Sequence, residues 1–246
     1  MNVGVPLIFF HYGERAHIDQ FFVDGSIQIG TVQSYDCATH GQMIGDDHEG
    51  LSWDVITDDN VRRYRESGRE IETGPLGIPM FLAPGSRGNV QIIQNVSFNY
   101  AMFCTTYILH KSLCQNFKPT YDAAIMIERP FPFYYELTKA FIESGLRETV
   151  TFQHVSDVQY QNRILEPGIE VIEALIKDPG YRHQAEVRAL WNAGNYEEHF
   201  FRFKAPNAVR CCRKILLENM PDYSEGASYD ECKAMMEHAL RTSTPI

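Results

Sequence analysis

The chain has 246 residues, 44% of them hydrophobic and 12% aromatic, with a net charge of −10. That length and composition suit a folded domain with a substantial core and argue against a disordered chain. The acidic balance argues against a chain-wide electrostatic grip on nucleic acid, though not against a local basic groove. The six cysteines include no CxxC pair, and the apolar run at 5–10 is too short for a signal or a membrane span. A soluble, reduced, cytoplasmic protein is expected.

Residues 5–12 read as a short buried strand ending on His11 and Tyr12. Gly13-Glu14-Arg15 then turns the chain into a helix with Ile18, Phe21, Phe22 and Val23 on its apolar face, stopped at Asp24-Gly25. Residues 26–30 alternate as a second strand. From 31 to 54 the chain is loop-like and gathers Tyr35, His40, Asp46, Asp47, His48 and Glu49 among three glycines. Neither the helical spacing of a zinc motif nor the alternating ligands of a calcium loop is present, so no metal is expected.

Residues 58–88 are charged and rich in Gly and Pro, and read as a surface excursion from a single domain spanning 1–246. Strands are expected at 89–98 and 100–109, the second carrying Thr105, Thr106 and Tyr107, with a short polar segment at 110–117. A strand at 122–128, a helix at 130–145, a strand or hairpin arm at 149–160 and a helix at 166–176 follow. The end of the chain reads as strands at 199–204 and 209–217 and an amphipathic helix at 228–241. No Walker, GxGxxG, GxSxG or HExxH sequence occurs, which removes the usual support for kinase, dehydrogenase, serine-hydrolase and zinc-protease readings. The fold class expected is α+β, with helices flanking a split, mainly antiparallel sheet.

The stretch most suggestive of chemistry lies after the Pro179-Gly180 turn. Gln184, Glu186 and Arg188 alternate with Ala185, Val187 and Ala189, the period of a strand with one polar face. Such a face can hold a sugar hydroxyl and a nucleophile together, or can simply be a solvated Glu/Arg pair.

Four blocks in order, Phe10-His-Tyr12, Gly45-Asp-Asp-His-Glu49, Phe103-Cys-Thr-Thr106 and Lys177…Tyr181-Arg-His-Gln-Ala-Glu-Val-Arg188, carry a resemblance. Together they resemble a bacterial domain family with Asn-Asp-Pro-x-Glu and Glu/Gln-x-Glu-x-Arg motifs, itself similar to ADP-ribosyltransferases of toxin–antitoxin and phage-defence systems. Three departures stand out: Gly45-Asp46-Asp47 replaces Asn-Asp-Pro, Tyr181 stands where the family has Trp, and Gln184 replaces the first Glu.

The resemblance implies an ADP-ribosyltransferase-like fold and an NAD-consuming toxin or antiviral enzyme, with Glu186 and Gln184 catalytic. The chemistry would have His11, with Tyr12, at a ribose hydroxyl, Thr105 or Thr106 bracing Glu186, and Tyr107 or Tyr35 stacking on the nicotinamide of NAD; an antitoxin is a further partner the resemblance implies. The cluster Arg202, Lys204, Arg210, Arg213 and Lys214 would serve an RNA or DNA acceptor. Two other classes stay open: a metal-dependent nuclease or phosphodiesterase using His11, His48 and the loop acids, and a non-catalytic binding domain.

Overall fold

A computed structural model describes residues 8–34, 50–56, 80–81, 91–96, 100–161, 164–165, 172–194, 199–216 and 218. Its centre is an eight-stranded, antiparallel sheet organised around β6 (Ala101–Thr106). One edge of β6 pairs along its whole length with β12 (Glu186–Asn192), from Glu186↔Thr106 to Trp191↔Ala101. Beyond β12 lies β8 (Thr151–Asp157).

The other edge of β6 is shared by two strands. β2 (Ser26–Thr31) takes Ala101 and Met102, whereas β1 (Phe9–Gly13) takes Thr106 through Phe10 alone. The sheet therefore forks over the middle of β6. One arm continues from β2 to β13 (Phe200–Lys204), and the other runs from β1 through β7 (Ala123–Ile127) to β14 (Cys212–Leu216). The expected α+β class with a mainly antiparallel sheet is what the chain adopts. Two small sheets lie outside it: β10 (Ile164–Leu165), β3 (Leu51–Ile56), β5 (Gln91–Val96) and β4 (Met80–Phe81) in that order, and β9 (Gln159–Tyr160) parallel to β11 (Ile176–Lys177).

One face of the large sheet carries the main core. Phe9, Phe103, Ile125, Val187 and Trp191 point there, as alternation along their strands dictates, and meet α1 (Arg15–Asp24) and α3 (Pro130–Glu143). The α3 face is set by Phe133, Leu137 and Phe141, spaced as successive turns of a helix, with Pro130 at its first position, where no amide partner is needed. Trp191 Nε1 donates to Thr138 Oγ1 at 2.8 Å, so the buried indole leaves no unpaired donor. Helix α1 stops where expected, but Val23 is exposed and only Ile18 and Phe21 are buried. Gly25 turns left-handed at φ 79°, and a Cβ there would stand 2.4 Å from the Pro206 nitrogen.

The opposite face packs Phe10, Tyr12 and Met126 under α2 (Lys111–Phe117), and Met102 and Leu190 against Ala174 and Leu175. Helix α2 replaces the polar segment expected at 110–117. His110 Nδ1 caps it by accepting from the Leu113 amide, and Leu113 and Cys114 supply its buried side. Two further expectations are revised. Residues 172–177 hold a short 3-10 turn (Glu173–Leu175) and β11 where the sequence suggested the end of a helix. Val209 to Cys211 lie in a 3-10 turn, so the last strand begins at Cys212.

Tyr35, the acidic loop at 46–49, most of 58–88, the first part of the 166–176 segment and the terminal 228–241 segment lie outside the described residues. No helix among the described residues is long and apolar enough to cross a membrane.

Candidate functional site

The stretch around residue 180 reaches its geometry by a different route from the one its alternation suggests. Asp178 accepts from the Gly180 amide at 2.8 Å and, with Pro179, starts a 3-10 turn (Pro179–Gln184). Ala185 follows in the left-handed region at φ 43°, and only then does β12 begin at Glu186. Gln184 is thus the last residue of a turn, not a strand neighbour of Glu186. Its side chain still arrives beside that of Glu186, because Lys177 Nζ donates to Gln184 Oε1 at 2.7 Å and to Glu186 Oε2 at 3.0 Å.

Arg188, two residues along the same strand face, completes the clamp. Its Nε donates to Glu186 Oε1 at 2.8 Å and its Nη2 to Oε2 at 3.2 Å, while Nη1 donates to the Ala174 carbonyl. The side chains of Lys177, Glu186 and Arg188 are 4%, 9% and 1% exposed. This is a buried ionic cluster. Burial by itself raises the Glu186 pKa, but Arg188 and Lys177, with hydrogen bonds from Arg188 and Cys104, outweigh it and hold the carboxyl well below the usual range. Cys104 stays protonated, since burial and the neighbouring Glu186 push its thiol well above its ordinary value. The carboxylate is therefore ionised at neutral pH and a weak base.

These groups form one side of a cleft of about 120 Å³. Phe10, Tyr12, Phe117 and Tyr121, which pack in one apolar cluster, give it an aromatic side, and His11, Cys104, Thr105 and Thr106 complete it. The volume is below the usual 300–1,000 Å³ of small-molecule sites, so the described cleft takes one ring or one sugar of a larger ligand.

Comparison with protein-family models, with curated proteins and with solved structures finds no match. The site is therefore read from its own geometry.

His11 sits in the fork of the sheet. Its Nδ1 faces the Cys104 carbonyl at 2.9 Å, filling the ladder position that β1 vacates, and its ring stacks on Phe103 with centroids 4.4 Å apart. A carbonyl only accepts, so Nδ1 carries the proton. Burial lowers the ring's pKa, which makes the neutral form the resident one and leaves Nε2 as an acceptor.

Tyr12 lines the cleft by its ring, while its hydroxyl donates to the Ile108 carbonyl at 2.6 Å and accepts from the His110 amide at 2.7 Å. The two threonines do not brace the Glu186 carboxylate, as they would have in the sequence reading. Thr105 donates to the Val187 carbonyl and meets the Tyr134 hydroxyl on the main-core side, because odd positions of β6 face that way. Thr106 donates to the Gln184 carbonyl at 2.7 Å and accepts from the Ile108 amide at 3.1 Å, so it fixes the turn instead. Thr106→Val, nearly isosteric, should cost roughly 1–3 kcal/mol in urea denaturation by stranding that carbonyl; a change below about 0.5 kcal/mol would show the turn holds itself.

Tyr107 is not among the cleft residues. Its ring packs edge-on against Phe9 and its hydroxyl bonds Asp157. The expected basic cluster is also dispersed. Arg202 and Lys204 lie on β13, the edge of one arm, and Arg213 and Lys214 on β14, the edge of the other, with Arg210 on the turn before it. Lys204, Lys214 and Arg213 pair with Asp24, Asp19 and Glu128 at 2.7, 2.9 and 2.9 Å, and Arg202 donates to Gln28. None of the five lines the cleft.

Phe10, Cys104, Phe117, Tyr121, Lys177 and Arg188 are the cleft residues that sequence reasoning did not assign. Phe10, Cys104, Lys177 and Arg188 were legible as members of motif blocks. Phe117 and Tyr121 carry no sequence signal, because the end of α2 brings them to the cleft only in three dimensions. Among the described residues no group of three His, Cys, Asp or Glu side chains is placed to hold a metal.

Proposed function

We propose that this chain is an NAD-consuming ADP-ribosyltransferase with Glu186 at its reacting centre. One observation carries the reading: a buried carboxylate, ionised at neutral pH, stands at the edge of an aromatic-walled cleft where three separated motif blocks, on β1, β6 and β12, converge. The ADP-ribosyltransferase-like fold implied by the resemblance is supported by the forked antiparallel sheet.

In this reading the bond between nicotinamide and the ribose C1′ breaks, nicotinamide leaves as a neutral base, and the ribose becomes a cation-like ring as in glycoside hydrolysis. The charge on Glu186 stabilises that ring. A carboxylate held so firmly ionised contributes little as a general base, so deprotonating the acceptor falls to another group or to solvent. His11 Nε2 accepts from a ribose hydroxyl, and Gln184, fixed by Lys177 and Thr106, orients the acceptor. A toxin or antiviral role, a nucleic-acid acceptor and an antitoxin partner belong to the same resemblance; the acid-paired residues of β13 and β14 add no support for a nucleic-acid surface.

The test is release of free nicotinamide from NAD, followed by chromatography, with and without added RNA, DNA or cell extract. The wild type should release it whether or not a chelator is present, and Glu186→Gln should be slower by roughly 100-fold or more at a temperature where circular dichroism shows it folded. No release under any of these conditions would remove the reading, and release abolished by the chelator would transfer it to a metal enzyme.

A further inference from the structure

The aromatic side of the cleft contains a polar group that the fold does not use. Tyr12 has its hydroxyl committed to Ile108 and His110, Tyr107 to Asp157, Tyr134 to Thr105 and Tyr160 to the Glu186 amide. Tyr121 differs: it is half-buried and lines the cleft, yet among the described residues its hydroxyl has no hydrogen-bond partner. A phenol hydroxyl that no protein group uses, on a residue lining a cleft, is free to donate to or accept from whatever enters it.

The segment that carries it is held firmly. Lys118 Nζ and Thr120 Oγ1 both donate to Glu14 Oε1, at 2.7 and 2.9 Å, and the Arg15 amide donates to Asp122 Oδ1 at 2.7 Å. Cys114 Sγ donates to the Tyr121 carbonyl at 3.4 Å, and Phe117 leans on Tyr12 with centroids 5.9 Å apart. Phe117 and Tyr121 thus form a fixed wall in the lining of the same cleft as Lys177, Gln184 and Glu186.

We propose that this wall selects the ligand: Phe117 packs against the face of a single ring, and the Tyr121 hydroxyl hydrogen-bonds a polar group on that ring's edge. The ligand class is a planar amide-bearing ring or a sugar, matched to a cleft of about 120 Å³. The inference deepens the NAD reading by naming a residue that discriminates, and it can be tested apart from turnover.

Nicotinamide, benzamide and ribose would each be titrated into the wild type and Tyr121→Phe by ligand-observed NMR, with thermal melts alongside. At least one ring should bind the wild type, and Tyr121→Phe should weaken it about tenfold, the equivalent of one hydrogen bond. The melting temperature should not fall, because no protein partner is lost. Equal affinities, no binding by any of the three, or a melting temperature lowered by several degrees would each overturn the proposal. Ring binding that depends on Tyr121 in a protein that does not consume NAD would sink the NAD reading and leave the wall standing.

Discussion

Glu186→Gln should destabilise the fold by roughly 3–5 kcal/mol at pH 7, although the two side chains are nearly the same shape. The reason is the company the carboxylate keeps. Lys177 and Arg188 are both almost fully buried around it, and neutralising Glu186 leaves two cations with dipoles where they had a charge. The effect has a pH signature. The folded carboxyl is held below its ordinary value of 4.5, so its contribution is complete above that value and is lost as the pH falls from there through the folded pKa. The gap between wild type and variant should therefore be widest near neutrality and narrow in acid. Urea denaturation at pH 7 and pH 3 measures both. A variant within about 1 kcal/mol of wild type at pH 7 would mean that the two cations are hydrated and that the cluster is not a buried one.

The sequence displays only part of the cluster behind that expectation, and which part it displays shows what a sequence can carry. Alternation at 184–188 placed Glu186 and Arg188 on one strand face, and β12 keeps that pattern because a sheet has a period of two. The same alternation misplaced Gln184, since Asp178 and Pro179 set up a turn whose exit through Ala185 breaks the strand before it starts. Lys177 is nine residues from Glu186 and on another strand, so their 3.0 Å contact has no periodicity to announce it. The aromatic wall was invisible for a related reason. Residues 110–117 look polar, and only Leu113, Cys114 and Phe117 face inward once His110 caps a helix there. Tyr107 failed in the opposite sense: an aromatic ring just past a motif strand invites a stacking role, yet it packs against Phe9 and bonds Asp157. Local pattern fixes which face a residue takes; which loop comes back to meet that face is a long-range matter.

His11→Ala should cost roughly 2–4 kcal/mol, the second largest loss expected in the site, because it removes a stack on Phe103 and strands the Cys104 carbonyl inside the fork. The fork makes this carbonyl special. β1 pairs with β6 only through Phe10↔Thr106, so no backbone amide of β1 pairs with it and the imidazole does so instead. The ring is kept neutral by burial, its pKa lowered from 6.5, with the bond to Cys104 offsetting only part of that shift. Its contribution is thus complete above the ordinary histidine value and lost as the pH falls through the lowered one. His11→Ala should accordingly abolish that part of the wild type's decline below pH 6.5. Asparagine separates structure from binding, since its side-chain amide can donate where Nδ1 does but offers nothing in place of Nε2. His11→Asn should recover about half of the lost stability while raising the KM for NAD by about tenfold with little change in kcat, as expected for a hydrogen bond already made in the ground state. Recovered stability with an unchanged KM would leave His11 as the pin of the fork alone, with no part in holding the ribose.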